Sequence, residues 1–165
     1  MPITTDMENI RIEINMQFCQ MEELTAEDQE LVKAAIGATA NSYARYSNFN
    51  VGAALRLADG SIVIGANQEN AAFPSGLCAE RSAIFAAQSQ HPEHAIDALA
   101  IAAKNAKGLM PDPVSPCGGC RQVILEMEDR YKQPVRILLY GTRGVYCIRS
   151  VKDLMPLSFV DENMH

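Results

Sequence analysis

Apolar and polar residues alternate strictly from Asn9 to Phe18. Ile10, Ile12, Ile14, Met16 and Phe18 fall on one side, and Arg11, Glu13, Asn15 and Gln17 on the other. A period of two predicts a β-strand with one buried face. The pattern changes at Thr25, which reads as a helix N-cap. Glu27, Asp28 and Glu30 follow it, where carboxylates meet the positive end of the helix dipole. Leu31, Ala34, Ala35, Ala38 and Ser42 carry the helical stripe on to about Tyr43.

Two apolar runs come next, Val51–Ala58 and Ser61–Ala66, joined at Asp59-Gly60, a strong hairpin signal. Leu77–Gln90, rich in Ala, Ile and Phe, predicts a helix. Asp97–Ala103 is continuously apolar and predicts a central strand. Lys104–Pro116 holds three prolines and a glycine and predicts a loop. Gly118–Arg130 predicts a second core helix. Val135–Tyr140 and Val145–Arg149 predict strands around Gly141-Thr142-Arg143-Gly144, and Ser150 caps a short helix through Met155. Strands alternating with helices imply an α/β fold: a three-layer α/β/α sandwich with a mixed central sheet. No repeat, low-complexity segment or interdomain linker interrupts it. The expected division is an N-terminal extension, 1–24, carrying the first strand, and a single domain, 25–165.

Composition narrows the partners. The chain has 165 residues, 48% of them hydrophobic and 21% charged, as expected of one globular domain. A net charge of −6 disfavours binding to the phosphate backbone of DNA or RNA, and equally to an acidic membrane surface. No stretch is apolar and long enough to span a bilayer. Met1–Asn9 is polar, with Asp6 and Glu8, and lacks the basic and apolar regions of a secretory leader. The expectation is a cytoplasmic protein with reduced thiols. Five cysteines, an odd number, fit a disulfide framework poorly.

The cysteines instead suggest a metal. Cys78-Ala79-Glu80 opens one predicted central helix and Pro116-Cys117-Gly118-Gly119-Cys120 the other. A helix start lowers a thiol's pKa, because the unpaired backbone amides stabilise thiolate, the form that binds metal. A C-x-x-C there sets two sulfurs on one side of the first turn. A third from the neighbouring helix completes three points of a tetrahedron, and three ligands leave a fourth position open, as in catalytic zinc sites. Glu80, two residues after Cys78, can face that position as a proton carrier without being a ligand. Taken singly, the residues have plainer readings. Cys117 and Cys120 could be a thioredoxin-like redox pair, Cys78 a small buried hydrophobe, and Glu80 a favourable helix-start charge. Together they match the signature of zinc-dependent deaminases, a His or Cys two residues before a Glu, then P-C-x-x-C. Cys19 and Cys147 read as packing residues, and His91, His94 and His165 as surface residues.

The sequence closely resembles the cytidine deaminase family, specifically its small homotetrameric branch, from about Thr25 to Phe159. The resemblance rests on Tyr46-Ser47-Asn48-Phe49-Asn50-Val51-Gly52-Ala53-Ala54, Asn67-Gln68-Glu69-Asn70-Ala71, Cys78-Ala79-Glu80-Arg81 and Pro116-Cys117-Gly118-Gly119-Cys120-Arg121-Gln122-Val123. The ending Leu154-Met155-Pro156-Leu157-Ser158-Phe159 is similar too. The resemblance implies one Zn²⁺ per chain on Cys78, Cys117 and Cys120, with Glu80 catalytic. It implies ribose recognition by Asn67 and Glu69, an aromatic wall against the pyrimidine at Phe49, and base reading by the backbone of Ala79 and Ser115. Ala71, Phe73 and Phe159 would approach the site of a neighbouring subunit. Arg81 would hydrogen-bond the thiolates, drawing charge from a cluster that is otherwise net negative. Two residues depart from the pattern: Asn50 stands where Pro is frequent, and Phe73 where Tyr is common.

The reaction implied is hydrolytic deamination of cytidine and 2′-deoxycytidine. The rivals are a deaminase of a modified cytosine nucleoside such as an antibiotic, a zinc-stabilised binding module without activity, and a polynucleotide deaminase. Asn67-Gln68-Glu69-Asn70 argues for ordinary ribose, Glu80 beside an open position argues for an enzyme, and the acidic balance argues against a polymer.

Overall fold

The computed structural model describes residues 6–165; residues 1–5 of the expected extension lie outside the described residues. The described residues form seven strands: β1 (Met16–Cys19), β2 (Asn50–Leu57), β3 (Ile62–Ala66), β4 (Ile96–Asn105), β5 (Gly108–Leu109), β6 (Arg136–Gly141) and β7 (Gly144–Ile148). The helices are α1 (Ala26–Ala38), α2 (Ala79–Gln90) and α3 (Gly118–Tyr131). One sheet runs β1-β7-β6-β4-β2-β3, with β5 paired to β4. β4 and β6 are parallel and the other pairings are antiparallel, so the sheet is mixed, as expected.

Side-chain alternation on β4 separates the layers. Ala98, Ala100 and Ala102 join Leu31, Val32 and Ala35 of α1 in one buried cluster. Leu99 and Ile101 face the other way, onto Ala83 and Ile84 of α2 and Ile124 and Leu125 of α3. The result is the three-layer sandwich. Thin layers need small residues: a methyl at Gly52 would overlap the Ala35 carbonyl of α1, and one at Gly65 would overlap the Ala83 amide of α2. Those glycines sit on neighbouring rungs of the β2–β3 hairpin, Gly52 opposite Ala66 and Gly65 opposite Ala53. The hairpin turns where Asp59-Gly60 predicts, with Gly60 at φ 89 and the Asp59 carboxylate accepting from Ser61 N–H at 3.0 Å.

Three expectations need correction. The first strand, expected over Asn9–Phe18, spans only Met16–Cys19. Its partner β7 ends at Ile148, opposite Met16, so among the described residues 6–15 have no strand to pair with. The side expected to be buried is exposed: Ile10, Ile12, Ile14, Met16 and Phe18 all face solvent. Second, the helix expected to reach Tyr43 ends at Ala38 and tightens into a 3₁₀ turn, Thr39–Asn41. Tyr43 is committed elsewhere: its N–H donates to the Asn67 carbonyl at 2.9 Å, and its carbonyl accepts from Glu69 N–H at 2.8 Å. Third, the expected loop from Lys104 begins later, because β4 runs to Asn105 and turns into the short β5.

Candidate active site

Cys78 is the N-cap of α2 and Cys117 the N-cap of α3, and neither side chain makes a capping hydrogen bond. Ordinary caps are Ser, Thr, Asp or Asn, whose oxygens satisfy first-turn amides. With cysteine there, those amides stay available to a sulfur cluster. The Sγ atoms of Cys78 and Cys117 are 3.9 Å apart, and the sulfurs of Cys78, Cys117 and Cys120 all lie within 4.8 Å of one another. Three sulfurs at about 2.3 Å from a tetrahedral zinc would be about 3.8 Å apart. The donor set therefore fits one zinc in type and spacing.

Electrostatics agree. Burial, with the Glu80 carboxylate beside it, pushes the Cys120 thiol far above its ordinary value. Burial also opposes ionisation of Cys117, but the Cys120 backbone N–H and the neighbouring thiols hold it below the usual thiol range. Burial raises the Glu80 carboxyl above its ordinary 4.5, although Cys120 donates to it. Three sulfurs and a carboxylate with 5% of its residue surface exposed thus crowd together, and a cation would relieve all four. Arg81 supplies part of that charge: its guanidinium donates to Cys78 Sγ at 3.3 Å, and bonds to Cys78 and Cys120 hold it firmly protonated.

Cys78, Cys117 and Glu80 border a cavity of about 280 Å³, whose walls include Phe49, Val51, Ile101, Val114 and Ser115. Asn67, Glu69 and Ala79 line it too. A second, more open cavity of about 580 Å³ adjoins it and shares Ser47, Asn67, Glu69 and Cys78. Its outer wall carries Phe73, packed edge-on against Tyr46 with ring centroids 6.1 Å apart. The structure thus brings together Cys78, Cys117, Cys120, Glu80, Arg81, Phe49, Asn67, Glu69, Ala79 and Ser115, and puts Phe73 at the rim. Ala71 and Phe159 are exposed and border neither cavity of their own chain.

Asn67 and Glu69 do more than line the cavity. Asn67 Oδ1 accepts from Val51 N–H at 2.8 Å and from Ser42 Oγ at 2.5 Å, and its Nδ2 donates to the Phe49 carbonyl at 2.9 Å. Glu69 accepts from the N–H groups of Tyr46 (2.8 Å) and Ser47 (3.1 Å) and from the Ser47 hydroxyl. That hydroxyl bond is the main reason its carboxyl lies below the ordinary range. The pair therefore braces the loop that bends through Asn48, at φ 56, and delivers Phe49 to the cavity wall.

Sequence reasoning assigned no role to Ser47, Arg121 or Gln122. Arg121 donates to the carbonyls of Pro116 (2.9 Å) and Leu154 (2.8 Å), and Gln122 to that of Phe159 (2.9 Å), so the start of α3 holds the C-terminal segment. The only hint was their place in the motif after Cys120.

Fold and site together define a zinc-dependent deaminase. The chain belongs to the family described by the cytidine and deoxycytidylate deaminase zinc-binding region, which matches residues 25–133. It is 39% identical over 137 residues to the cytidine deaminase of Halalkalibacterium halodurans, covering 83% of this chain and 97% of the relative. The cytidine deaminase of Sporosarcina psychrophila is 38% identical over 136 residues, 82% of this chain and 93% of that one. The crystal structure of cytidine deaminase from Burkholderia pseudomallei superposes with a TM-score of 0.68 at 36% identity, covering 82% of this chain and all (100%) of that one.

Proposed function

We propose that this protein hydrolyses cytidine and 2′-deoxycytidine to uridine and 2′-deoxyuridine, releasing ammonia, in pyrimidine nucleoside salvage. The observation that carries the reading is Glu80, buried beside three helix-start sulfurs at the wall of a cavity that Asn67 and Glu69 also line.

Phe49, Val51 and Ile101 give the smaller cavity apolar walls suited to a pyrimidine ring. The backbone groups of Ala79 and Ser115 read the base edge. Asn67 and Glu69, shared between the two cavities, meet the sugar hydroxyls where base and sugar join. Cys78, Cys117 and Cys120 would hold one zinc, which would supply an acidified water as nucleophile. Glu80 takes a proton from that water and passes it to N3 as oxygen adds to C4. It then moves the hydroxyl proton to the C4 amino group, which leaves as ammonia. A carboxyl raised above its usual range by burial suits such shuttling near neutral pH.

Residues 25–165 are the catalytic domain in this reading, and 1–24 an extension of it. Four chains form a closed homotetramer in which Ala71, Phe73 and Phe159 complete a neighbour's site. Phe73 is 78% exposed in the single chain and Phe159 58%, a large apolar area that a neighbour would cover. Among the described residues no helix is long and apolar enough to cross a membrane, and the reading places the enzyme in the cytoplasm. The acidic balance favours free nucleosides over polynucleotides. A spectrophotometric screen of cytidine, deoxycytidine, CMP, cytosine and adenosine tests the substrate class. Turnover of the first two alone is expected, and comparable efficiency on CMP rejects the nucleoside reading.

A further inference from the structure

The row Ile10, Ile12, Ile14, Met16 and Phe18 is exposed, with Ile10 at 80%. Phe18 meets Tyr146 of its own chain, with ring centroids 5.0 Å apart, but Ile10, Ile12 and Ile14 join neither buried apolar cluster. Among the described residues β1 ends the sheet and nothing pairs with its outer edge. Met16–Cys19 carries none of the charges or prolines that usually blunt an edge strand. Among the described residues, 6–15 run past the end of β7 and belong to no strand. The family match begins at residue 25, so this row lies outside the part shared with the family.

The sequence of the row identifies what covers it. Place two copies of Asn9–Asn15 antiparallel, with Ile12 opposite Ile12. Ile10 then meets Ile14, and Arg11 meets Glu13 twice, once on each side of the two-fold axis. Moving the centre by one residue spoils the match: centred on Arg11 the arginines face each other, and centred on Glu13 the glutamates do. Centring between two residues sets isoleucines against charges. Like charges directly opposite are unfavourable and opposite charges favourable. Among the registers centred from Arg11 to Glu13, one alone pairs every charge and keeps every isoleucine on one face. An isologous contact of this kind closes on itself.

From these observations we infer that Asn9–Asn15 forms an antiparallel two-stranded ribbon with the same segment of a second copy, centred on Ile12. Met16 and its symmetry mate are then separated by eight residues, about 27 Å at about 3.4 Å per residue. That leaves room for each domain at its own end of the ribbon. The apolar row lies on one face of the ribbon, and the paired Arg11 and Glu13 on the other.

Cysteine cross-linking tests the register independently of catalysis and of any tetramer. Ile12→Cys, treated with oxidised glutathione, should give a covalent dimer on a denaturing gel beyond that of the parent protein. Ile10→Cys and Ile14→Cys should not, since each lies about 14 Å from its own mate, but an equimolar mixture of the two should. In sedimentation, Arg11→Glu should weaken self-association about tenfold, and Arg11→Glu/Glu13→Arg should restore it. Turnover of cytidine should be unchanged throughout. The inference is overturned if Ile12→Cys cross-links no better than the parent or the single Ile10→Cys cross-links as well. It is equally overturned if Arg11→Glu leaves association untouched, or if phospholipid vesicles, and not a second copy, protect the row.

Discussion

Asn67 offers a sharp test, because its two roles predict different measurements. The side chain satisfies the backbone N–H of Val51 and the carbonyl of Phe49, both in half-buried residues. Asn67→Ala removes both partners at once. An orphaned buried group costs about 1–3 kcal/mol, and partial access of water favours the lower half of that range. The sum is about 3 kcal/mol. For a domain of this size each kcal/mol lowers the melting temperature by about 2–4 °C, so a fall of roughly 6–12 °C is expected. Asn67→Asp keeps the acceptors for Val51 and Ser42 but sets an oxygen against the Phe49 carbonyl, and should recover part of the loss. The assay is thermal unfolding of zinc-loaded protein, with KM for cytidine measured on the same samples. Melting of Asn67→Ala within a degree of the parent, with KM alone raised, would refute the brace and leave Asn67 as a sugar ligand only.

Cys117→Ala should lose zinc or hold it weakly, read by elemental analysis; full occupancy in the folded variant would contradict the three-sulfur site. Glu80→Gln should keep zinc but lose about 10²–10⁴-fold in kcat, the range typical of a general acid–base group. Glu80 must be ionised to accept the first proton, and burial raises its pKa. The acid limb of kcat/KM should therefore fall with a midpoint above the ordinary 4.5, and a lower midpoint would oppose the assignment. Phe159→Ala should raise KM although Phe159 lies outside its own chain's cavities, and dilution to monomers should abolish turnover while zinc is retained. An active monomer in the ultracentrifuge would remove the shared-site arrangement.

The zinc site was legible because its chemistry is local. Cys78-x-Glu80 and Cys117-x-x-Cys120 each sit within one helical turn, and helix starts are visible in the pattern. The layers were legible for the same reason, since the apolar run Asp97–Ala103 and the stripe of α1 each report their own burial. What escaped depends on distant pairs. Asn67 meets Val51 across 16 residues and Ser42 across 25, and Arg121 meets Leu154 across 33. Nothing in those residues announces their partners. The end of α1 was missed because Tyr43 is recruited by the segment at Asn67–Glu69, a tertiary demand that overrides the helical stripe. Residues 9–15 misled in another way: alternation shows that one face needs cover, and is silent on whether that cover comes from the same chain.

Gly52 and Gly65 bear on how this enzyme would look to an unbiased mutational survey. Each admits no side chain, because a helix backbone lies against it, from opposite faces of the same hairpin. β2 carries Phe49 at its entrance, and β3 leads into Asn67 and Glu69. A methyl wedged at either glycine would push the hairpin off its helix and shift both walls of the cavity together. In a survey scored by growth on cytidine, these two positions would rank with the cysteines as intolerant, though neither touches zinc or nucleoside. Abundance of folded protein, scored alongside, separates the two kinds of intolerance: it should collapse at the glycines and persist at Glu80.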